Sequence, residues 1–271
     1  HVARKMLKTI AEPMQLGGHS VSVSPSIGIA VYPEDAADAT ELLKHADVAM
    51  YHAKDLGRNN FQFFIQEMNE KAHMQLARET RLRKAIQRQE FINYYQPIIN
   101  AQSGQIVGVE LLTRWQHNGQ FVPPDVFIPI AEQNGLINDL AYNSLATACD
   151  DMKFMSNAGR SPYMSVNLTA TQLCSNNMLT RLKNIVTQKG ISPGLIRLEI
   201  TESTLIQNKD SAIHNMNELR NAGFQIFLDD FGTGYSSLTY LKRLPADLLK
   251  IDQTFVRDML DDPDDLEIVK A

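Results

Sequence analysis

The stretch Phe224–Leu238 reads FQIFLDDFGTGYSSL. An apolar run of strand type ends in two adjacent aspartates and passes at once into a glycine-bearing loop. Neighbouring carboxylates repel, and they stay ionised together only in open water or beside a cation. The apolar lead-in argues against open water. Asp229 and Asp230 are therefore either a turn opener or half of a metal site, and the rest of the chain has to separate the two.

Working outward, strands interleave with amphipathic helices from Phe91 onward. Strands are predicted at INYYQPII, QIVGVELL, YMSVNL, LIRLEIT, FQIFLDD and LLKID, with helices such as SAIHNMNELRNAG between most of them. The linker FGTGYSSLTYLKRLPAD is expected to be part loop and part helix. Strand–helix alternation implies an α/β fold with a largely parallel sheet. The first two strands are joined by the short turn NAQSG and should pair antiparallel. Polar residues recur where these strands end: Glu110, Asn167, Glu199, the Asp229–Asp230 pair, then Lys250 and Asp252. One such residue would be an ordinary cap or turn. Five strands in register point to the mouth of a β/α barrel, where the carboxyl ends of the strands converge.

Glu, Asn, Glu and Asp offer only oxygen, which suits Mg²⁺, Mn²⁺ or Ca²⁺ rather than zinc or copper. The seven histidines are scattered, without HExxH or similar spacing, and read as surface or packing residues. Under the metal reading, a divalent cation offsets the Asp229–Asp230 repulsion. Two adjacent carboxylates can also hold two metals, an arrangement suited to phosphodiester cleavage. Lys250 would then touch the attacking water or a phosphate oxygen, unless it is a strand-end lysine extending to solvent.

The bulk composition narrows the partners. The 271 residues are 44% hydrophobic and 21% charged, with a net charge of -5, so no basic footprint for nucleic acid exists. No apolar run is long enough to span a bilayer, and no signal-peptide pattern is present. Membrane contact is expected only through parts outside this chain, and the expected location is cytoplasmic. Cys149 and Cys174 lack CxxC spacing and read as small buried hydrophobes in a reducing compartment.

Ahead of the strand–helix region the pattern differs. HVARKMLKTIAEPM reads as the end of a helix already under way, so the chain reads as cut from a longer one. HSVSVSPSIGIAVYP reads as a strand pair by its period of two. DATELLKHADVAMYHAKDLG reads as an amphipathic helix with Leu42, Leu43, Ala46, Ala49, Met50 and Ala53 on one face. Asp38 and Glu41 form a capping-box pattern and Gly57 ends the helix. A short strand NNFQFF follows, then a long polar helix from Gln66 to Gln89 with an apolar stripe of Met68, Ala72, Leu76, Leu82 and Ile86. The expected division is residues 1–66, a connector at 67–89 able to carry a signal, and residues 90–271.

VELLTRW, PPDVFIPIAEQNG, SVNLTATQL, LEITES and LDDFGTGYSSLTYLKRLPADLLKID together resemble the EAL family of cyclic di-GMP phosphodiesterases. SIGIAVYP and ADVAMYHAKDLGRNNFQFF resemble the C-terminal half of a GGDEF (diguanylate cyclase) domain. The resemblance implies an EAL-type (β/α)8 TIM-like barrel, incomplete at its C-terminus, preceded by part of a GGDEF α/β domain. It implies metal ligands at Glu110, Asn167, Glu199 and Asp229, with Asp229 and Asp230 reaching a second metal. It implies that Lys250 orients or deprotonates the attacking water and that Arg114 meets a substrate phosphate. Gln96 and Pro97 would lie near the substrate. Glu202 would anchor the DDFGTGYSS loop, which in the family links metal binding to dimer contacts. The implied reaction opens cyclic di-GMP to linear pGpG with Mg²⁺ or Mn²⁺, Ca²⁺ being inhibitory, in a homodimer formed through the EAL domain. The rival expectation is a catalytically silent cyclic di-GMP receptor; a generic sugar hydrolase fits the Asn, the Asp-Asp pair and the lysine poorly.

Two departures stand out. The signature reads Glu110-Leu111-Leu112 where the family has Glu-Ala-Leu. If Glu110 faces the mouth, alternation turns Leu111 toward the helix layer, where it is a packing matter. The last two βα units, with a further metal-binding glutamate, would lie beyond Ala271, so this span alone is expected to be incomplete as a phosphodiesterase. The GGDEF signature loop would lie before His1.

Overall fold

The computed structural model describes residues 1–270 apart from 158, 160, 176, 203, 205–208 and 233–243. It divides into two compact units, His1–Arg81 and Leu82–Ala271.

The first unit opens with α1 (Val2–Ala11), followed by the hairpin β1 (Met14–Leu16) and β2 (His19–Val21). β3 (Ser26–Ile29) pairs in parallel with β4 (Asn60–Phe63), and α2 (Ala39–Asp55) connects them. The stretch HSVSVSPSIGIAVYP is thus not a pair. Its two strands join different partners, because a period of two marks a strand and not its neighbour. α2 starts as its sequence requires, with the Asp38 side chain accepting from Glu41 N at 2.8 Å, and Gly57 just past its end takes φ 97°. Its buried face is Ala49, Ala53 and His45, whereas Leu43 is exposed. His45 is a satisfied packing residue. Its ring stacks on Phe64 at 4.0 Å, and its nitrogens meet Asp35 O at 2.7 Å and Asn69 Nδ2 at 3.1 Å. α3 covers Gln66–Gln87; along its stripe Met68 and Leu82 are buried, while Ala72 and Leu76 are exposed.

The second unit carries a sheet ordered β11-β10-β9-β8-β6-β5, with a further strand β7 on β6. The strands are β5 (Phe91–Ile99), β6 (Ile106–His117), β7 (Gln120–Val122), β8 (Tyr163–Leu168), β9 (Ile196–Thr201), β10 (Gln225–Phe231) and β11 (Leu248–Ile251). β5 and β6 pair antiparallel, as their short turn requires, and β6, β8, β9, β10 and β11 run parallel. In the turn, the Asn100 carboxamide oxygen accepts from Gln102 N and Ser103 N. β6 does not end near Glu110. It runs on to His117 and folds back as β7 through Asn118-Gly119, both at positive φ, the geometry of a two-residue hairpin turn.

The helices are α4 (Pro124–Gln133), α5 (Ile137–Asn157), α6 (Ala170–Leu173), α7 (Met178–Gln188), α8 (Lys209–Asn221), α9 (Gln253–Asp258) and α10 (Pro263–Lys270). Most of the linker after β10 lies outside the described residues. Among the described residues no helix is long and apolar enough to cross a membrane. Cys149 is buried, but Cys174, just past α6, is exposed and corrects the expectation for it.

Pleating sorts the sheet into two faces. Leu111, Val166, Leu198, Ile200, Ile226 and Leu228 lie on one of them and pack against Leu145 and Cys149 of α5, Leu182 and Val186 of α7, and Met216 and Leu219 of α8. Each such side chain removed from water contributes about 1.5–3 kcal/mol. This face fixes the register, since a slip by one residue would turn the apolar set outward. The opposite face carries the residues between them, with Tyr163 and Phe227 at one level and polar side chains at the next.

Candidate active site

Register decides which polar side chains meet. Glu110 on β6 pairs with Ser165 on β8, Asn167 pairs with Glu199 on β9, and Asp229 on β10 pairs with Thr201. Partners across a ladder share a face, and so do residues two apart. Glu110, Ser165, Asn167, Glu199 and Asp229 therefore share the face away from the apolar core.

On that face three carboxylates converge on one ammonium. Lys250 Nζ, from β11, lies 2.7 Å from Glu199 Oε2, 2.9 Å from Asp229 Oδ2 and 3.7 Å from Glu110 Oε2. Asn167 Nδ2 donates to Glu110 Oε1 at 3.0 Å. Ser165 Oγ donates to the other Glu199 oxygen, Oε1. Glu199 is 1% exposed. Burial pushes its carboxyl above the ordinary range, against the hydrogen bonds from Lys250 and Ser165, while Glu110 adds repulsion. Burial also works against the Lys250 charge, but the hydrogen bonds to Glu199 and Asp229 outweigh it and hold the ammonium above its usual range.

The paired aspartates sit on a kink. Leu228 pairs with Leu249 and Phe231 with Ile251, so β10 carries one residue more than β11 between those rungs. Asp230 takes φ 54° there, a left-handed conformation that aspartate tolerates better than most residues. Bulges of this kind re-aim side chains beside active sites. Asp230 N donates to Asp229 Oδ1 at 3.0 Å. Burial, Asp229 and Asp252 together push the Asp230 carboxyl up. Asp252 caps α9 by accepting from Thr254 N at 2.8 Å. Glu202, 2% exposed, accepts from Gly232 N at 3.4 Å, at the start of the glycine-bearing loop. The remainder of that loop, from 233 to 243, lies outside the described residues.

A layer of packed rings lies beneath, two residues earlier on the same strands. The Arg197 guanidinium sits over the Tyr163 ring at 4.8 Å, and Phe227 meets that ring edge-on at 6.0 Å. Gly108, two residues before Glu110, leaves the Tyr163 ring its space; a Cβ there would come within 2.4 Å of it.

Not every expected residue joins the cluster. Arg114 shares the face of Glu110 but lies four residues along β6, about 13 Å away. Its Nη1 donates to Thr113 O at 3.2 Å, and it sits 6.0 Å from the Tyr94 ring. Gln96 pairs with Glu110 and shares its face, exposed. Pro97 pairs with Val109 and falls on the opposite face. Ser165 was missed by sequence reasoning, although alternation back from Asn167 signals it.

Among the described residues no three His, Cys, Asp or Glu side chains converge closely enough to chelate an ion by themselves. The carboxylates close instead on Lys250. The donor chemistry nonetheless fits a hard divalent cation. Glu110, Glu199 and Asp229 share one ammonium, which offsets only part of their charge, Asp230 adds a further acid beside them, and the donors are oxygens.

Residues 79–271 match the family described as EAL domain, and residues 1–60 match diguanylate cyclase, GGDEF domain. The chain is 41% identical over 272 residues to the bifunctional diguanylate cyclase/cyclic di-GMP phosphodiesterase MucR of Pseudomonas aeruginosa, covering 100% of this chain and 40% of that protein. It is 36% identical over 272 residues to the cyclic di-GMP phosphodiesterase NbdA of the same organism, covering 100% of this chain and 35% of the relative. The chain thus spans well under half the length of these curated relatives. A solved structure titled PaMucR phosphodiesterase, c-di-GMP complex, superposes with a TM-score of 0.67 at 37% identity, covering 71% of this chain and 79% of that one.

Proposed function

The chain belongs to the EAL domain family, and from that membership and its carboxylate–lysine cluster we propose that it is the catalytic part of a cyclic di-GMP phosphodiesterase. The observation that carries this reading is the convergence of Glu110, Glu199 and Asp229 on Lys250 Nζ, within 3.7 Å, at one end of a parallel sheet. Relatives bearing that activity in their names, and a related structure holding cyclic di-GMP, support the substrate.

Hydrolysis of a cyclic dinucleotide needs a water directed at phosphorus, charge for the phosphoryl oxygens, and a proton for the leaving 3′ oxygen. Glu110, Asn167, Glu199 and Asp229 would hold one Mg²⁺ or Mn²⁺, and Asp229 with Asp230 a second. Bound there, the cations supply positive charge to the phosphoryl oxygens and acidify water. Asn167 would contribute its amide oxygen, whose place toward Glu110 the amide nitrogen now takes. Lys250 would act as a donor from beside the same carboxylates, orienting the water or a phosphoryl oxygen with its Nζ. Arg114, in a planar fork geometry, suits the more distant phosphate of the dinucleotide. Glu202 holds the Gly232 amide and so the loop that begins at the aspartates. Ca²⁺, with looser geometry, would bind and inhibit. Further parts of the reading are a homodimer through the EAL domain, a cytoplasmic location, and a connector at 67–89 between the two domain types.

The test is chromatographic. The intact protein is incubated with cyclic di-GMP and Mg²⁺, with and without chelator. Linear pGpG formed only with metal supports the reading. Cyclic di-GMP bound without turnover would make the protein a receptor instead.

A further inference from the structure

Ser165 is fully buried and lies on β8 as the register partner of Glu110, two residues before Asn167. Its hydroxyl donates to Glu199 Oε1, while Glu199 Oε2 takes Lys250 at 2.7 Å. The two oxygens of one buried carboxylate are thus distinguished. One is tied down by a neutral donor, and the other faces the centre. Serine suits the position for a physical reason. It is the smallest side chain with a strong donor, and the position is fully buried. A neutral donor also holds the carboxylate without competing for the place of a cation, as Lys250 does. Without it, Glu199 Oε1 would be left buried with no partner of its own among the described residues, and the carboxylate would gain freedom to turn.

We propose that Ser165 is a positioning residue of the phosphodiesterase centre, its hydroxyl fixing the Glu199 carboxylate so that Oε2 faces the cation. This rests on the phosphodiesterase reading above. Partners that orient metal ligands typically account for about 10–100-fold in metal affinity.

The experiment titrates Mn²⁺ calorimetrically into the intact protein without substrate, for wild type, Ser165→Ala and Ser165→Cys. The cysteine nearly keeps the volume and offers only a weak donor. Melting of the metal-free proteins identifies the folded variants, and if Ser165→Ala does not fold, Ser165→Cys decides. Mn²⁺ binding about tenfold weaker is expected. The kcat for cyclic di-GMP should recover as Mn²⁺ is raised, with KM unchanged at saturating Mn²⁺. A purely structural defect would not be rescued by metal in this way. A folded variant that binds Mn²⁺ as tightly as a wild type that binds and hydrolyses overturns this inference alone. A wild type that binds no Mn²⁺ and turns over no cyclic di-GMP overturns the phosphodiesterase reading and this inference with it.

Discussion

Replacing Lys250 with methionine keeps the length of the side chain and removes the ammonium on which three carboxylates converge. Removing one partner of a buried ion pair costs about 3–5 kcal/mol, because the other charge is left without compensation. Here Glu199 is buried, but the Lys250 side chain is 28% exposed and those of Glu110 and Asp229 are 21% and 18% exposed, so water screens part of the loss. A cost of about 1–3 kcal/mol in metal-free buffer follows. At roughly 2–4 °C per kcal/mol for a domain of this size, thermal melting resolves it easily. Saturating Mg²⁺ should narrow the gap between Lys250→Met and wild type, since a cation held by the same carboxylates supplies the missing charge. Turnover should still fall by about 10²–10³-fold, the usual effect of losing one donor to the reacting oxygens. A variant that melts with wild type in metal-free buffer, or turns over at the wild-type rate, would refute the reasoning.

Three further outcomes follow from the same structure. Leu111, 6% exposed, packs in the core against the helix layer, so Leu111→Ala should lose about 2–5 kcal/mol of stability by denaturant melting while kcat is kept. Asp230→Asn keeps a residue that accepts positive φ, so its melting should match wild type while hydrolysis falls by at least tenfold in a chromatographic assay. The hydrogen bonds from Trp115 and His117 hold the Glu90 carboxyl below its usual range. The stability gap between wild type and Glu90→Gln should therefore be complete above about pH 4.3 and close as pH falls through the lowered value, read from melting curves across that interval.

Much of this was legible in the chain because side-chain alternation is strict. Ile196, Leu198 and Ile200 turn one way and Glu199 the other, so the core and the polar face of β9 could both be read from IRLEIT. Asp38 announced the start of α2 through its capping chemistry. Partner choice was harder to see, because β2 and β3 are short and their alternation names no neighbour. β7 was signalled by Asn118-Gly119 and passed over, so the predicted strand QIVGVELL stops at Leu112, short of the end of β6 at His117. The bulge at Asp229–Asp230 carries no mark beyond the residues themselves, since it arises where β10 and β11 come out of step. The closure of the carboxylates on Lys250 was equally hidden, because it depends on the register between β9, β10 and β11. Pro97 was carried in with Gln96 by motif, yet adjacent strand residues face opposite ways and only Gln96 shares the face of Glu110.

The central claim is that the cluster around Lys250 is a cation centre for phosphodiester hydrolysis. Diffraction from crystals of the intact protein grown with Mn²⁺, collected at the manganese absorption edge, tests it most directly. The account places an anomalous peak among the side-chain oxygens of Glu110, Asn167, Glu199 and Asp229, with the Lys250 ammonium displaced from its present position between the carboxylates. A protein that hydrolyses cyclic di-GMP while its manganese lies elsewhere, with Lys250 still closed on those carboxylates, would contradict it.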